Sequence, residues 1–405
     1  MDPTYSAEAE AFRDRIRTFL KENLPEGWAG LGALPMEDIH EFSLDWRQKL
    51  AANGLLAPSW PKEYGGGGLS VLEQVILAEE FQRAGAPTGA GNDAFSIQMV
   101  GNTILQWGTP EQKEHFLPRI ISGEDVWCQG YSEPDAGSDL GSLGCKAVLD
   151  GDEWVINGQK IWTSAGQFAN WIFVLCRTDP DAPKHRGISF MLCPMEQEGV
   201  EVRPIEMLTG DADFNETFFT DARTAKENVV GEVNGGWAVA MTLLGYERGE
   251  AAATMPIMFR AEWDKLAALA KETGRDQDPV IRDRLMQMFA EVEIMRLSGM
   301  QALTKFLSGQ HPGPAESTFK LYWSEYHKRV TELAVDILGP AAMTAESGAK
   351  TSFHADLPGT ENDAESWLGA FFNARAGTIY AGTSQVQRNI IGEMVLGLPK
   401  EPRPV

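Results

Sequence analysis

The spacing of apolar residues changes twice along this chain, and no other feature of the sequence restricts its fold as much. Over residues 1–124 the spacing is helical, with Tyr5, Phe12, Ile16, Phe19 and Leu20 on one face of an opening helix. Thr109-Pro110-Glu111-Gln112 joins a capping box to a proline at the first helical position, which predicts a helix start there. The four glycines at 65–68 predict a loop after Trp60-Pro61. Over residues 125–236 the pattern becomes that of short strands, at 154–162, 171–176, 187–193 and 200–205. Within the first of these, Asn157-Gly158 reads as a hairpin turn. From 237 to 405 helical spacing returns in long stretches at 237–272, 279–307 and 315–338. They are broken by His311-Pro312-Gly313-Pro314 and Leu338-Gly339-Pro340. Residues 343–360 carry the least pattern and are expected to form a loop. The order implies an α+β multi-domain chain. We expect an N-terminal helical domain (1–124), a central β-barrel or sandwich (125–236) and a C-terminal four-helix bundle (237–405).

Charge narrows the partners. The formal net charge is −23, with no basic stripe to offset phosphate repulsion, which argues against nucleic acid. A phosphorylated small molecule is still compatible, because a few local arginines or backbone N–H groups suffice to hold it. Cys128, Cys145, Cys176 and Cys193 show no CxxC spacing and read as buried free thiols in a reducing compartment. The six histidines lack any metal-binding spacing, so no metal site is expected. No run is apolar enough to span a membrane, and the acidic N-terminus (Asp2, Glu8, Glu10, Asp14) is unlike a signal or transit peptide. The expectation is a cytoplasmic protein.

Gly89-Ala90-Gly91-Asn92-Asp93-Ala94 matches a dinucleotide loop loosely, but an apolar strand does not precede it. No GxSxG elbow or Walker loop occurs, so a nicotinamide dehydrogenase and an α/β-hydrolase are both disfavoured. Three other segments are rich in glycine and small hydroxyl residues, which let backbone N–H groups come close to a ligand. They are 129–139 (Gln-Gly-Tyr-Ser-Glu-Pro-Asp-Ala-Gly-Ser-Asp), 162–164 (Trp-Thr-Ser) and 378–388 (Thr-Ile-Tyr-Ala-Gly-Thr-Ser-Gln-Val-Gln-Arg). Taken singly, the first reads as a capped turn, the tryptophan of the second as core, and Thr383 as the N-cap of a last helix.

Together these segments resemble the flavin and thioester site of the acyl-CoA dehydrogenase family, and the resemblance covers essentially the whole chain. It implies that FAD lies against Gln129, Tyr131, Ser132, Trp162, Thr163, Ser164, Thr383 and Gln385. It implies that Ser138, Tyr380 and Gly382 line the acyl-CoA path. The family's reaction removes a proton from the carbon next to a thioester and a hydride from the next carbon to the flavin. A carboxylate base is therefore needed, together with hydrogen bonds to the thioester carbonyl. Many members place a glutamate where this chain has Ala381, whose backbone N–H can still donate to the carbonyl. Leu244-Gly245-Tyr246-Glu247-Arg248-Gly249 resembles the Glu-Arg placement of isovaleryl- and long-chain-type members. It makes Glu247 the expected base and gives Arg248 a role in positioning the C-terminal loop or the substrate. Glu250, one turn on, is the competing candidate, and a solvated helix glutamate is the bland reading.

Two strings depart from the family pattern. Residues 272–279 lack Arg-x-x-Phe-Gly, and 335–340 lack the usual Gln and paired Gly, which puts the cross-subunit flavin contacts in question. This departure is similar to that of actinobacterial-style members acting on bulky substrates, some of them two-subunit heteromers. The expected partners are an acyl-CoA, an electron-transfer flavoprotein and further subunits in a homo- or heterotetramer. A flavin oxidase or monooxygenase of the same fold and a silent partner subunit are the alternatives.

Overall fold

The computed structural model describes residues 6–246, 249–307, 317–344 and 357–400. Glu247 and Arg248 lie outside the described residues, as do Tyr5 and most of the expected 343–360 loop. The chain begins with α1 (Ala7–Asn23), α2 (Met36–Ala52) and α3 (Val71–Ala84), followed by α4 (Asn102–Trp107) and α5 (Pro110–Ser122). α1 buries Phe12, Ile16, Phe19 and Leu20, the stripe expected from spacing. α5 begins at the expected capping box, with Gln112 N donating to Thr109 Oγ1 at 3.2 Å and Thr109 N to Gln112 Oε1 at 3.0 Å. The loose dinucleotide motif is a structural junction instead. The Asp93 carboxylate pairs with Arg47 at 2.9 Å and accepts from Ala90 N at 2.8 Å. Asn92 Nδ2 reaches across to Trp127 O (2.9 Å) and Ala165 O (3.2 Å), fastening the helical domain to the strands.

Eight strands follow: β1 (Trp127–Gly130), β2 (Lys146–Asp150), β3 (Glu153–Ser164), β4 (Trp171–Arg177), β5 (Ile188–Pro194), β6 (Val200–Ile205), β7 (Phe214–Ala225) and β8 (Val229–Val230). They form one sheet in the order β6-β7-β3-β2-β4-β5-β8, with β1 also on β4. Most pairings are antiparallel, but β1 and β2 both meet β4 in parallel. β1 takes residues 171–174 and β2 touches at Arg177, so the sheet forks along that edge. Between the leaves lies a core containing Ile156, Ile172, Val174, Met191 and Phe219. All four cysteines are free and buried.

The hairpin turn expected at Asn157-Gly158 is not there. β3 runs straight through it as one strand, and the turn lies at Gly151-Asp152, between the paired Asp150 and Glu153. Gly158 sits instead at a β-bulge with φ +150°. A Cβ there would lie 2.7 Å from Cys145 Cα, so the glycine is needed for close backbone approach.

The C-terminal part contains α6 (Gly236–Tyr246), α7 (Gly249–Glu272), α8 (Pro279–Leu307), α9 (Ser317–Leu338), α10 (Ala364–Gly377) and α11 (Ser384–Ile390). α8 buries Ile281, Leu285, Met288, Val292 and Met295, and α9 buries Tyr326, Val330, Leu333 and Ile337. Both follow alternating steps of three and four, the spacing that lets near-parallel helices interdigitate. Phe259, Leu266 and Leu269 of α7 and Trp367 of α10 complete that four-helix core. Val239, Ala240 and Leu243 of α6 pack into the core shared by the N-terminal helices and β5.

Candidate functional site

The site is organised by the second irregularity of β3. Its pairing with β7 breaks between Lys160 and Thr163, so Ile161 and Trp162 bulge out of the ladder. Freed from β7, Ile161 N donates to Ser132 O at 2.9 Å and stitches β3 to the loop after β1. Trp162 takes φ +61° and turns its indole outward, leaving the residue 56% exposed with an edge contact to Phe214 (ring centroids 6.1 Å). Ala165, three residues on, has φ +51°. Backbone held in the left-handed region by a bulky residue is costly and concentrates at functional sites.

The bulge brings together two of the three sequence-predicted segments. Gln129 is half-buried in β1, and its Nε2 has no hydrogen-bond partner among the described protein atoms. Ser132 and Ser164 are half-buried at the same end of the sheet. Tyr131 and Thr163 point elsewhere. The Tyr131 ring is buried edge-on against Phe173 at 6.0 Å, and the Thr163 hydroxyl is buried against Thr217 Oγ1 at 3.1 Å. Ser138 is exposed on the loop beyond.

The third segment is held by the bundle. Thr378 to Thr383 form a turn in which Ala381 has φ +50° and Gly382 φ +86°. Lys320 of α9 is its anchor: Nζ donates to Gly377 O and Gly382 O, both at 2.8 Å, and lies over the Tyr380 ring at 5.8 Å. Burial pushes the Lys320 amine down to about 8, against a smaller opposing pull from Glu325. Gln387 Nε2 donates to Ala381 O at 3.1 Å, while its buried Oε1 has no partner among the described protein atoms. Thr383 caps α11, its hydroxyl accepting from Val386 N at 3.1 Å. Gln385, Tyr380 and Ala381 are exposed.

Sequence reasoning missed Lys160 and Lys320 because an isolated lysine in a strand or helix gives no signal of burial. It also missed a cleft of about 630 Å³ lined by Asp139, Pro183, Lys184, His185 and Arg186, beside Ser138. Lys184 is paired with Asp139 and, with Ser142, holds that carboxyl below its ordinary range. The His185 ring lies 4.4 Å from Trp237. The two cations of the run Lys184-His185-Arg186 were themselves legible in an acidic chain.

Comparison with known proteins identifies one family along nearly the whole chain. Three family models match in order: acyl-CoA dehydrogenase N-terminal domain at 6–124, middle domain at 128–222 and C-terminal domain at 234–396. The chain is 41% identical over 408 residues to acyl-CoA dehydrogenase IpdE1 of Mycolicibacterium smegmatis, covering 97% of this chain and 99% of that one. The Tcur3481-Tcur3483 steroid ACAD structure superposes with a TM-score of 0.80 at 33% identity, over 99% of this chain and 100% of the other. The ChsE4-ChsE5 complex from Mycobacterium tuberculosis does so with a TM-score of 0.78 at 32% identity, over 99% and 100%. No helix among the described residues is long and apolar enough to cross a membrane. With its helical, β and helical parts in the family's order and all three family domains matched, this chain is a member of the acyl-CoA dehydrogenase family, flavoprotein oxidoreductases that act on CH–CH bonds.

Proposed function

We propose that the protein is an FAD-dependent dehydrogenase converting an acyl-CoA thioester to its trans-2-enoyl-CoA in the cytoplasm, with electrons passed to an electron-transfer flavoprotein. The observations that carry this reading are the bulge at Ile161-Trp162, which exposes an indole and ties β3 to Ser132, and the buried Gln129 Nε2, which has no partner among the described protein atoms. A buried amide donor without a partner suits a ligand acceptor. Gln129, Ser132, Trp162 and Ser164, with the backbone of Tyr131 and Thr163, would hold the flavin from the β domain, and Gln385 and Thr383 from the bundle. When bound, the flavin supplies the acceptor for the β-hydride.

The protein's own residues do the rest. Glu247 takes the α-proton, and Arg248 positions the loop or substrate. The Ala381 N–H, on a turn pinned by Lys320, donates to the thioester carbonyl and so stabilises the charge that grows there as the proton leaves. Tyr380 and Gly382 line the acyl path, and Ser138 lies on the arm that leads outward. The cleft at Lys184-His185-Arg186 suits the phosphates of CoA, supplying the local cations that an acidic chain needs. The double variant Lys184→Ala/Arg186→Ala is expected to raise KM for acyl-CoA about tenfold with kcat unchanged, because a remote contact binds ground and transition states alike. Initial rates across substrate concentration check this, and an unchanged KM would remove the cleft from the site.

A bulky, sterol-derived acyl group is the favoured substrate class, supported by the steroid ACAD likeness. The deciding experiment is anaerobic. Flavin absorbance is followed as steroid-ring, branched and straight-chain acyl-CoAs are added, and peroxide is assayed separately in air. Bleaching by a ring-bearing acyl-CoA with little peroxide is expected. Bleaching by none of them, or stoichiometric peroxide, would overturn the dehydrogenase reading in favour of a silent subunit or an oxidase.

Assembly with a homologous subunit or with further copies is part of the proposal. Met286, Ile294 and Leu297 form an exposed apolar stripe on one face of α8, which a monomer would leave in water. Leu297→Asp is expected to shift the assembly to smaller species in light scattering. A wild-type protein that is monomeric at micromolar concentration would refute this.

A further inference from the structure

We propose that Lys160 and Glu133 act as a positioning clamp that sets the spacing of the two flavin-facing segments of the β domain; this rests on the flavin reading above. Lys160 stands in β3 two residues before Trp162, and its side chain is 0% exposed. Glu133 follows Ser132 directly in the loop after β1. Lys160 Nζ donates to Glu133 Oε1 at 2.7 Å and to Tyr131 O at 3.2 Å. The same carboxylate accepts from Cys145 N at 2.9 Å and Gly144 N at 2.6 Å. Thus one ion pair ties together β3, the start of the loop at 131–133 and its return at 144–145.

Several independent features converge on this point. Ile161 N, adjacent to the lysine, takes Ser132 O at 2.9 Å, so consecutive β3 residues grip consecutive loop residues. Glu133 and Ala136 exchange backbone hydrogen bonds at 3.1 Å each way, closing residues 133–136 into a tight turn. Gly158 admits the loop's return at Cys145, where any Cβ would collide with backbone. The two segments joined in this way are Tyr131-Ser132 and Trp162-Thr163-Ser164.

A buried ion pair is seldom the most stable solution. Apolar residues of the same volume often serve stability as well or better, because desolvating two charges offsets their attraction. What an apolar pair cannot do is satisfy Tyr131 O, Gly144 N and Cys145 N at fixed distances. The pair therefore acts on register: it keeps Ser132 and Trp162 at one separation, as a rigid planar ligand between them requires.

The test separates position from stability. Apoprotein of the wild type and of Glu133→Leu/Lys160→Met is titrated with FAD by fluorescence, its visible band recorded and its thermal midpoint measured. The double variant is expected to melt within a few degrees of the wild type, yet to bind FAD at least tenfold more weakly with a displaced or broadened band. An FAD dissociation constant within twofold of the wild type and an unchanged band would reduce the pair to an ordinary structural contact and overturn the proposal. Should the double variant fail to fold, Glu133→Gln is read in the same way, since it keeps the shape of the side chain and loses the charge. At least threefold weaker FAD binding with a shifted band supports the clamp, and wild-type values overturn it. A wild-type protein that takes up no FAD overturns the flavin reading together with the clamp, whereas a yellow wild type with equally tight variants overturns the clamp alone.

Discussion

Glu247→Gln is expected to lower turnover by about 10²–10⁴-fold while leaving flavin content and thermal midpoint unchanged. The α-proton of a thioester is weakly acidic, so the chemical step needs a carboxylate as well as a polarised carbonyl. The family resemblance leads to an expected carboxylate at the loop position that Ala381 occupies here, and an alanine there offers only its N–H. The amide of glutamine keeps the size and hydrogen-bonding shape of the side chain and cannot accept the proton. A fall in kcat and kcat/KM together would mark an interaction made in the transition state. Glu250→Gln, one helical turn on, is the control and should stay within a few-fold of wild type. Should Glu247→Gln retain turnover and Glu250→Gln lose it, the base has been assigned to the wrong residue.

Lys320→Met is expected to lower kcat about 10²-fold with a much smaller effect on KM, through loss of aim rather than loss of a reacting group. The lysine joins Gly377 O to Gly382 O, and the N–H it steadies belongs to a residue between them in the turn. A misplacement of about 1 Å at a charge-stabilising donor costs that much. Gly382→Ala should act in the same direction by another route. It forces a side chain onto φ +86° and sets a Cβ 2.7 Å from Gln387 Nε2, the group that holds Ala381 O. Steady-state kinetics check both, and wild-type kcat in Lys320→Met would show that the turn holds itself. The pH dependence has a definite sign. Folding lowers the amine from its ordinary value of 10.5 to about 8, chiefly by burial, so the folded protein releases this proton before the unfolded chain does. Its charged form therefore costs stability below pH 8, and that cost is relieved between about 8 and 10.5. Over that window the urea midpoint of the wild type should rise relative to Lys320→Met. Turnover should not fall on this residue's account, since a neutral amine keeps two N–H donors for its two carbonyls.

Much of the architecture was legible because it follows from period and punctuation. The Phe12-Ile16-Phe19-Leu20 stripe, the Thr109 cap and the three-four spacing of α8 are local signals, and each element formed where its signal lay. The Asn157-Gly158 turn misled because Asp150-Gly151-Asp152, six residues earlier, offers a second turn signal. The chain uses the earlier one. The deciding factor was burial: Trp154, Ile156, Lys160 and Thr163 all face inward along a single strand once two bulges shift its phase. Bulges respond to what lies opposite, so the pattern within β3 could not announce them.

The amino-acid sequence by itself determined the helical, strand and helical order of the three parts and carried the family resemblance, from which the expected flavin and thioester residues and a base away from position 381 follow. These depend on local spacing and on the chemistry of individual side chains. Only the tertiary structure decided that Trp162 faces outward while Tyr131 and Thr163 face the core, that Lys160 is buried against Glu133, and that Lys320 pins the Ala381 turn. Each of those depends on a partner dozens of residues away, and a lysine's environment is set by what packs against it, not by its neighbours in the chain.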